Sequence, residues 1–305
     1  MSALTTPEPA AARGLGAAAR TPARGVVPGS GGASWWAACG ALAAREWVRF
    51  FRQRHRVVAA LLTPVLLWLL LGLGLRDAFG PAGAEGAGGA GGAGGAGGIG
   101  GGSVRFYFPA AVVVTVLFTS IFTCISVIED RREGFLQGVL ASRAPRGAIA
   151  GGKVLGGAAI AFAQGLILLV PGLLVAPAPS AAGLAAALLV LALLAVMLTA
   201  LGLWFAWPMA STAGYHGVMN LVLMPMWLLS GGLFPAATAA PVLRWAMRLN
   251  PLAHGHELFA AALVGAPRAL APAWASWAVV VGTTAALLVA ATARVRKPTA
   301  GGGPA

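Results

Sequence analysis

Six long apolar runs, each free of Asp, Glu, Lys, Arg and His, constrain this chain of 305 residues more than any other feature. A hydrocarbon core about 30 Å thick needs roughly 20 apolar residues in each crossing helix. The strands of a membrane barrel are excluded because they alternate apolar and polar residues, and these runs do not alternate. The sequence therefore predicts an all-α integral membrane protein with six transmembrane helices. They cover residues 57–75, 107–128, 154–175, 183–207, 218–234 and 274–293.

Composition supports the same class of protein. Hydrophobic residues make up 58% of the chain and charged residues 10%, whereas soluble domains carry about 25% charged residues. A soluble enzyme is therefore nearly excluded. The net charge of +13 would suggest a nucleic-acid partner for a soluble protein, but these basic residues flank apolar runs, so we expect no nucleic acid. Cys39 and Cys124 are interpreted as free thiols.

The distribution of Lys and Arg predicts the orientation of the helices. Eight Arg residues precede the first run, five Lys or Arg follow the second, and three follow the sixth. The connections on the opposite side share the other five. Because Lys and Arg accumulate in cytoplasmic loops, we expect both termini in the cytoplasm. We further expect the chain to lie in the cytoplasmic (inner) membrane of the cell.

The segments outside the runs differ in composition. Residues 1–33, rich in Ala, Pro, Gly and Arg, and the tail 298–305 are expected to be disordered and cytoplasmic. No secretory signal peptide is expected, although the Arg-rich, acid-poor start leaves a transit peptide as an alternative. The tract at 80–102 matches G-x-G-x-x-G only because it is almost all Gly and Ala, so we interpret it as a flexible extracytoplasmic loop.

Residues 34–56 have the pattern of a helix that lies along the membrane surface. Ser34 can cap its start, and aromatic residues such as Trp36 and Trp47 fall near one face. Arginines recur at helical spacing on another face and are expected to point toward lipid phosphate. The alternative is an ordinary solvent-exposed segment that flanks the first span. The arginines are Arg45, Arg49, Arg52 and Arg56.

A charged segment follows the second run and is the clearest candidate for contact with a partner. Five adjacent residues mix both signs, and apolar residues follow at helical spacing at Phe135, Leu136, Val139 and Leu140. The pattern predicts, in a cytoplasmic loop at 129–147, a short amphipathic helix that faces both the membrane and a charged partner. A simple cluster of loop charges would explain the arginines but not the three acids. The five charged residues are Glu129, Asp130, Arg131, Arg132 and Glu133.

Catalysis and nucleotide binding are weakly supported. The segment at 147–154 fits G-x-x-x-x-G-K, yet it ends in Val where a P-loop has Ser or Thr. Gly152 and Gly156 are interpreted instead as a close helix contact. His254 and His256, two apart on a helix, point about 200° away from each other and make a poor metal pair. A membrane enzyme that uses these histidines and Glu257 stays as an alternative function.

Two predicted spans carry residues that could face a substrate route or a dimer partner. Thr115, Thr119 and Thr123 recur at every fourth residue of the second span, a pattern more typical of helix packing. The fifth span carries methionines, which adapt to varied apolar ligands. A route between these spans would be largely apolar. The residues of the fifth span are Met219, Asn220, Met224 and Trp227.

Several stretches of the chain resemble the membrane subunit of ABC-2 type ABC exporters, in the group of daunorubicin-resistance and nodulation-type permeases. The charged segment with Gly134 and Lys153 resembles the sequence after the family's second helix. MNLVLMPMWLLSGGLFP at 219–235 resembles the fifth-helix signature and is the most specific part. Asn250 and Pro251 resemble an extracytoplasmic motif.

The resemblance covers residues 35–297 and departs from the family at Phe135, where a small Thr is frequent. It implies an ABC-2 transmembrane domain at 34–297 that pairs with a second copy or a paralogous permease. Each subunit would rest the segment around 129–140 on one of two separate ATPase subunits. The ATPases would hold ATP and Mg²⁺, so that this chain binds no cofactor and is no enzyme.

The resemblance also implies an outer lid and a class of cargo. Short re-entrant helices before the last span, with Asn250, Pro251 and Glu257, would form the extracytoplasmic lid. The cargo would be an amphiphile moved outward: a drug, as in multidrug resistance, a lipid or a glycan. A membrane scaffold or assembly protein is the alternative to an exporter, beside the enzyme considered above.

Overall fold

A computed structural model of the protein describes residues 34–52, 102–142, 144–175 and 179–297, together with single positions between 58 and 70. The predicted first span at 57–75 lies largely outside the described residues. The segments 1–33 and 298–305 lie wholly outside them, as does the Gly-Ala tract at 80–102 apart from its last residue. The expectations for these segments stay predictions.

Regular secondary structure in these described ranges is entirely helical. The helices are α1 (Trp35–Arg52), α2 (Gly102–Arg132), α3 (Phe135–Ala141), α4 (Arg146–Val175), α5 (Ala181–Ala206), α6 (Thr212–Leu228), α7 (Pro241–Leu249), α8 (Pro251–Val264) and α9 (Ala273–Arg296).

Four of these helices are long and apolar enough to cross a membrane. An all-α integral membrane protein is therefore confirmed, whereas six spans and the cytoplasmic termini stay predictions. The four segments are Tyr107–Arg132 in α2, Arg146–Leu173 in α4, Ala181–Ala206 in α5 and Ala273–Arg296 in α9.

The fifth predicted span is displaced along the sequence. α6 covers Thr212–Leu228 rather than 218–234. It begins early because the Ser211 hydroxyl accepts a hydrogen bond from the N–H of Gly214 at 2.9 Å and caps the helix. It ends early because the chain turns at Gly231, whose φ of 85° lies in the left-handed region that favours glycine. Residues after Leu228 therefore form a turn.

α2 is the central helix of the described bundle. It packs against α4 and α5, and its residues Val112, Val116 and Leu117 have no exposed surface. α9 is the most exposed of the four long apolar helices, as expected for a peripheral helix that faces lipid. Side chains in the middle of α2 are thus enclosed by the chain's own helices.

α1 and α4 approach each other closely because α4 presents glycines to α1. A Cβ atom on Gly152 would lie 2.7 Å from Cβ of Leu42 and 2.9 Å from the carbonyl oxygen of Cys39. A Cβ on Gly156 would lie 3.0 Å from Cβ of Glu46. The interpretation of Gly152 and Gly156 as a close helix contact is confirmed, and the partner helix is α1.

Gly152→Ala should loosen α1 from α4, because the added methyl group would overlap Leu42 and because overpacking of this kind costs about 1–3 kcal/mol. Cys39 is buried in this contact. Loosening of α1 in the variant should expose its thiol, so Cys39 should react with a maleimide faster than in the unaltered chain, as measured by mass spectrometry. Gly282→Ala on α9 is the matched control, since nothing lies within 4 Å of its added Cβ. Equal labelling of Cys39 in the two variants would contradict this packing.

Candidate functional site

One face of α1 is buried and carries a carboxylate. Cys39, Glu46 and Phe50, separated by seven and four residues, are the buried residues of this helix. A carboxylate on a buried face needs cationic partners, because an isolated buried charge is strongly unfavourable. Those partners come from α1 itself and from α4.

Five charged residues of α1, α2 and α4 form a group, hereafter the ion cluster: Arg45, Glu46, Arg49, Asp130 and Lys153. Nζ of Lys153 lies 2.6 Å from Oε1 of Glu46 and also contacts Oδ2 of Asp130. Oδ1 of Asp130 accepts hydrogen bonds from Nη2 of Arg45 at 2.8 Å and from Nη1 of Arg49 at 2.6 Å. One carboxylate therefore joins three helices.

The ion cluster is buried on its inner side and open at its rim. Asp130 is 0% exposed, and Glu46 and Lys153 are also buried, whereas Arg45 and Arg49 are partly exposed. At the rim Arg49 pairs with Glu129 at 2.9 Å. The hydrogen bond to Asp130 raises the pKa of the Arg45 guanidinium above its ordinary value. Opposite charges are thus nearly matched, the condition under which buried ion pairs persist.

α3 rests on the outer side of the ion cluster. The guanidinium carbon of Arg45 lies 3.6 Å from the ring centroid of Phe135, a cation–π contact. Leu136 is buried in the main core of the bundle. The chain enters α3 through Gly134, whose φ of 76° favours glycine. The opposite face of α3 is exposed and consists of Gln137, Gly138 and Ala141.

The last turn of α2 also holds the end of α5. Nη1 of Arg131 donates to the carbonyl oxygen of Met209 at 3.1 Å, and its Nη2 donates to the carbonyl oxygen of Trp207. Nε of Arg132 donates to the carbonyl oxygen of Ala210 at 3.1 Å. Carbonyl groups at and after the end of a helix lack partners within the helix, and these arginines supply them. α2 is thereby fastened to the connection between α5 and α6.

The structure divides the predicted coupling residues into buried and exposed groups. The expectation that residues 129–132 lie in a loop is wrong, because they form the last turn of α2. Asp130 and Leu136 are buried, so they cannot touch a partner in this arrangement. Phe135 and Leu140 are half-buried against the chain's own helices, so the apolar stripe of α3 faces the protein core and not the membrane. The exposed members are Arg132 and Glu133.

Two arginines of α1 point away from the predicted direction. Arg45 and Arg49 were expected to face lipid phosphate but point to Asp130 instead. The buried carboxylate of Asp130 needs cationic partners, because a buried anion without a cation would be unstable, and these two arginines supply them. Trp36 and Trp47, two aromatic residues predicted for one face of α1, are exposed, whereas Phe50 of the same helix is buried.

The threonine stripe of α2 lies inside the subunit. Thr115 and Thr123 donate hydrogen bonds to carbonyl oxygens of their own helix at 2.8 Å. The hydroxyl of Thr119 donates to Oε1 of Gln164 on α4. All three threonines are buried, so they face neither the surface of the subunit nor a dimer partner, and helix packing explains their spacing.

α6 has a buried and an exposed face, which divide the residues predicted for it. Met219 is buried together with Tyr215 toward α2. Asn220 and Met224 are exposed on the other side, and Trp227 is half-buried. The exposed face is available to lipid, cargo or another subunit.

Two short helices, α7 and α8, occupy the predicted lid segment, and Asn250 joins them to α6. Its side-chain nitrogen donates to the carbonyl oxygens of Met226 at 2.6 Å and Leu229 at 3.0 Å. Its side-chain oxygen accepts from the N–H of Leu252 at 3.0 Å, and Pro251 opens α8. One side chain thus caps the end of α6 and the start of α8.

His254 and Glu257 have structural partners, whereas Nε2 of the buried His256 has no hydrogen-bond partner among the residues that the structure describes. Nδ1 of His254 lies 3.0 Å from the hydroxyl of Ser276, and Nε2 lies 3.0 Å from the carbonyl oxygen of Arg248. Glu257 accepts from the N–H groups of the loop before α9, at 2.9 Å from Leu270. Burial lowers the pKa of His256 to about 4. Within the described residues no three His, Cys, Asp or Glu side chains group as metal ligands.

The sequence matches the family model described as ABC-2 type transporter over residues 37–264. This match covers most of the chain and includes the ion cluster, α3 and α8. The chain belongs to the ABC-2 type transporter family. The family resemblance is thus confirmed, while the daunorubicin-resistance and nodulation-type group stays a prediction. No curated protein matches the chain significantly.

As a member of the ABC-2 family, the chain is the membrane permease subunit of an ABC-type transporter. Proteins of this family normally work with an ABC ATPase and are generally non-catalytic components of the transporter.

Sequence reasoning missed Glu46 and the role of Lys153 in this ABC-2 subunit. Glu46 is the only acid of α1, and a helical wheel places it with Cys39 and Phe50 on one face. That signal could have shown that Glu46 is buried. Lys153 lies just inside α4, where its charge looks like part of a positive loop.

Lys153→Met should destabilise the permease by about 3–5 kcal/mol, because the carboxylates of Glu46 and Asp130 stay buried without this cation. The measurement is the Tm of the detergent-purified chain. Glu46→Gln combined with Lys153→Met should recover part of the loss. Lys297→Met is the matched control at an exposed position, and equal Tm values for the two single variants would contradict the role of Lys153.

Proposed function

We propose that this permease is the membrane half of an exporter that moves an amphiphile outward across the cell membrane. Two permease subunits, identical or paralogous, pair with two ATPase subunits that bind ATP and Mg²⁺. Both termini, α3 and the ion cluster lie on the cytoplasmic side, and α7 and α8 lie on the outer side. Six membrane helices per subunit complete this arrangement.

The single observation that carries the proposal is the seat of α3 on the ion cluster. The exposed face of α3 is free for a partner, while its inner face touches Arg45 through Phe135. Arg45, Asp130 and Lys153 belong to α1, α2 and α4 and contact one another through Asp130. An ATPase that displaces α3 would therefore move three helices together and not α3 alone.

The arginines at the end of α2 provide a second path for the same movement. Arg131 and Arg132 hold the carbonyl groups that precede α6, so a shift of α2 also shifts α6. We propose that the exposed face of α6, with Asn220 and Met224, lines the route or the contact between two permease subunits. Asn250 connects the far end of α6 to the lid helices.

The chemistry of α6 favours amphiphilic cargo over small ions. Its exposed face includes Leu221, which is 75% exposed, and Met224. α6 holds no Asp, Glu, Lys or Arg, and its one histidine, His216, lies near the start of the helix, whereas ion-coupled transport relies on titratable groups within the membrane. A drug, lipid or glycan conjugate with an apolar part fits this surface.

Arg132→Glu combined with Glu133→Arg should weaken binding of the ATPase about tenfold, because the two exposed charges at the edge of α3 are exchanged while net charge is kept. Co-purification with the ABC ATPase that forms a complex with the unaltered chain measures the effect, and the amount of permease in the membrane should not change. Arg268→Glu, at an exposed position remote from α3, is the control. Unchanged co-purification of the double variant would argue strongly against α3 as the docking surface.

Phe135→Ala should leave the ATPase bound but reduce cargo-stimulated ATP hydrolysis in proteoliposomes about tenfold, because Arg45 loses its contact with α3 and coupling falls. Phe51→Ala is the matched control at an exposed aromatic position of α1. Normal stimulation in Phe135→Ala would reject this path for the force. A scaffold protein would show no ATP-dependent cargo movement even in the unaltered complex.

A further inference from the structure

The basic residues at the proposed cytoplasmic end differ in the groups that they contact. Arg45, Arg49 and Lys153 are neutralised by carboxylates of the ion cluster. Arg146 and Arg296 form no ion pair with any carboxylate in the described part of the chain. Both guanidinium groups are exposed, so their positive charge is available to an anion from another molecule.

Arg146 and Arg296 are brought together by the ends of α4 and α9. Nη1 of Arg146 donates to the carbonyl oxygen of Arg296 at 3.1 Å. A Cβ atom on Gly147 would lie 3.2 Å from Nη2 of Arg296 and 3.5 Å from Nε1 of Trp35. A guanidinium and an indole N–H, both donors only, therefore converge beside Gly147, which leaves them space.

We propose that Arg146, Arg296 and the indole N–H of Trp35 form a binding site for the phosphate group of an anionic phospholipid. A phosphodiester oxygen accepts hydrogen bonds from a guanidinium group in a bidentate arrangement and from an indole N–H. Basic pockets between membrane helices on the cytoplasmic side bind lipid headgroups in this way. Lys297, which is exposed, follows Arg296 directly and adds positive charge.

Neighbouring aromatic residues indicate a lipid as the source of the phosphate. Trp36 packs edge-on against Trp35 with ring centroids 4.5 Å apart and is 74% exposed. Trp47 and Phe51, also on α1, are exposed as well. Exposed tryptophans mark the headgroup level of a bilayer, so the acyl chains of a lipid whose phosphate meets Arg296 would pass along an aromatic surface. A free phosphate ion would leave that surface unused.

Native mass spectrometry of the full chain in detergent tests the site with two probes, dioleoyl phosphatidylglycerol and dioleoyl phosphatidylcholine. The unaltered chain should bind the anionic lipid in preference to the zwitterionic one. Arg146→Gln with Arg296→Gln should weaken phosphatidylglycerol binding about tenfold and leave phosphatidylcholine binding unchanged. Arg146→Lys with Arg296→Lys should keep only part of the preference, because the charges remain but the bidentate hydrogen bonds of the guanidinium groups are lost.

The matched control is Arg248→Gln with Arg268→Gln, which removes two exposed arginines far from the site and changes net charge equally. If the double variant fails to fold, Arg296→Gln alone carries the test, since its side chain is exposed. Equal loss in the control pair, or an undiminished preference in the site variants, would overturn the proposal. Competition by inorganic phosphate as effective as the lipid would assign the site to a free anion and would also overturn it.

The inference depends on the proposed orientation in one respect only: the orientation decides in which leaflet of the membrane the bound lipid lies. Lipid binding is read without the ATPase, so failure of the exporter proposal would leave this result unchanged. Co-purification of the ATPase with the site variants separates the two ideas. Normal ATPase binding with lost lipid preference supports the lipid site, whereas lost ATPase binding with intact lipid preference identifies a protein-docking surface and overturns it.

Discussion

Asp130 is a carboxylate with no exposed surface, and cations from two neighbouring helices surround it. A buried charge of this kind persists only while its partners stay in place, since loss of one partner costs several kcal/mol. The positions of α1, α2 and α4 are therefore interdependent. Two further contacts depend on this arrangement: the packing of Phe135 of α3 on Arg45, and the hydrogen bonds from the end of α2 to the carbonyl groups that follow α5.

Glycine on α4 makes the interaction possible. Lys153 lies between Gly152 and Gly156, and both glycines allow the backbone of α1 to come close. Glu46 consequently reaches Lys153 at 2.6 Å within a tightly packed contact. Larger residues at these positions would separate the helices, and both charges would then be buried without a partner. Steric fit and charge pairing at this contact therefore support each other.

Positive charge at this end of the bundle serves two physical purposes. One group of cations forms ion pairs with internal carboxylates and so holds the helices together. Another, at the ends of α4 and α9, stays uncompensated next to exposed aromatic rings. A count of Lys and Arg treats both groups alike, because it measures where charge lies along the chain and not what each charge meets.

The membrane class, the helical fold, the glycine contact and the short helix at Phe135 follow from the sequence, because bilayer thickness and helical periodicity act on local residue patterns. The bounds of α6 did not follow, since Ser211 and Gly231 lie outside the apolar pattern that defined the span. The threonine stripe of α2 is periodic whether it faces a neighbour or a route, and only the packing of α4 showed that it is internal. Glu46, Asp130 and Lys153 are separated by 84 and 23 residues. Their meeting depends on how three helices pack, so only the tertiary structure decided it.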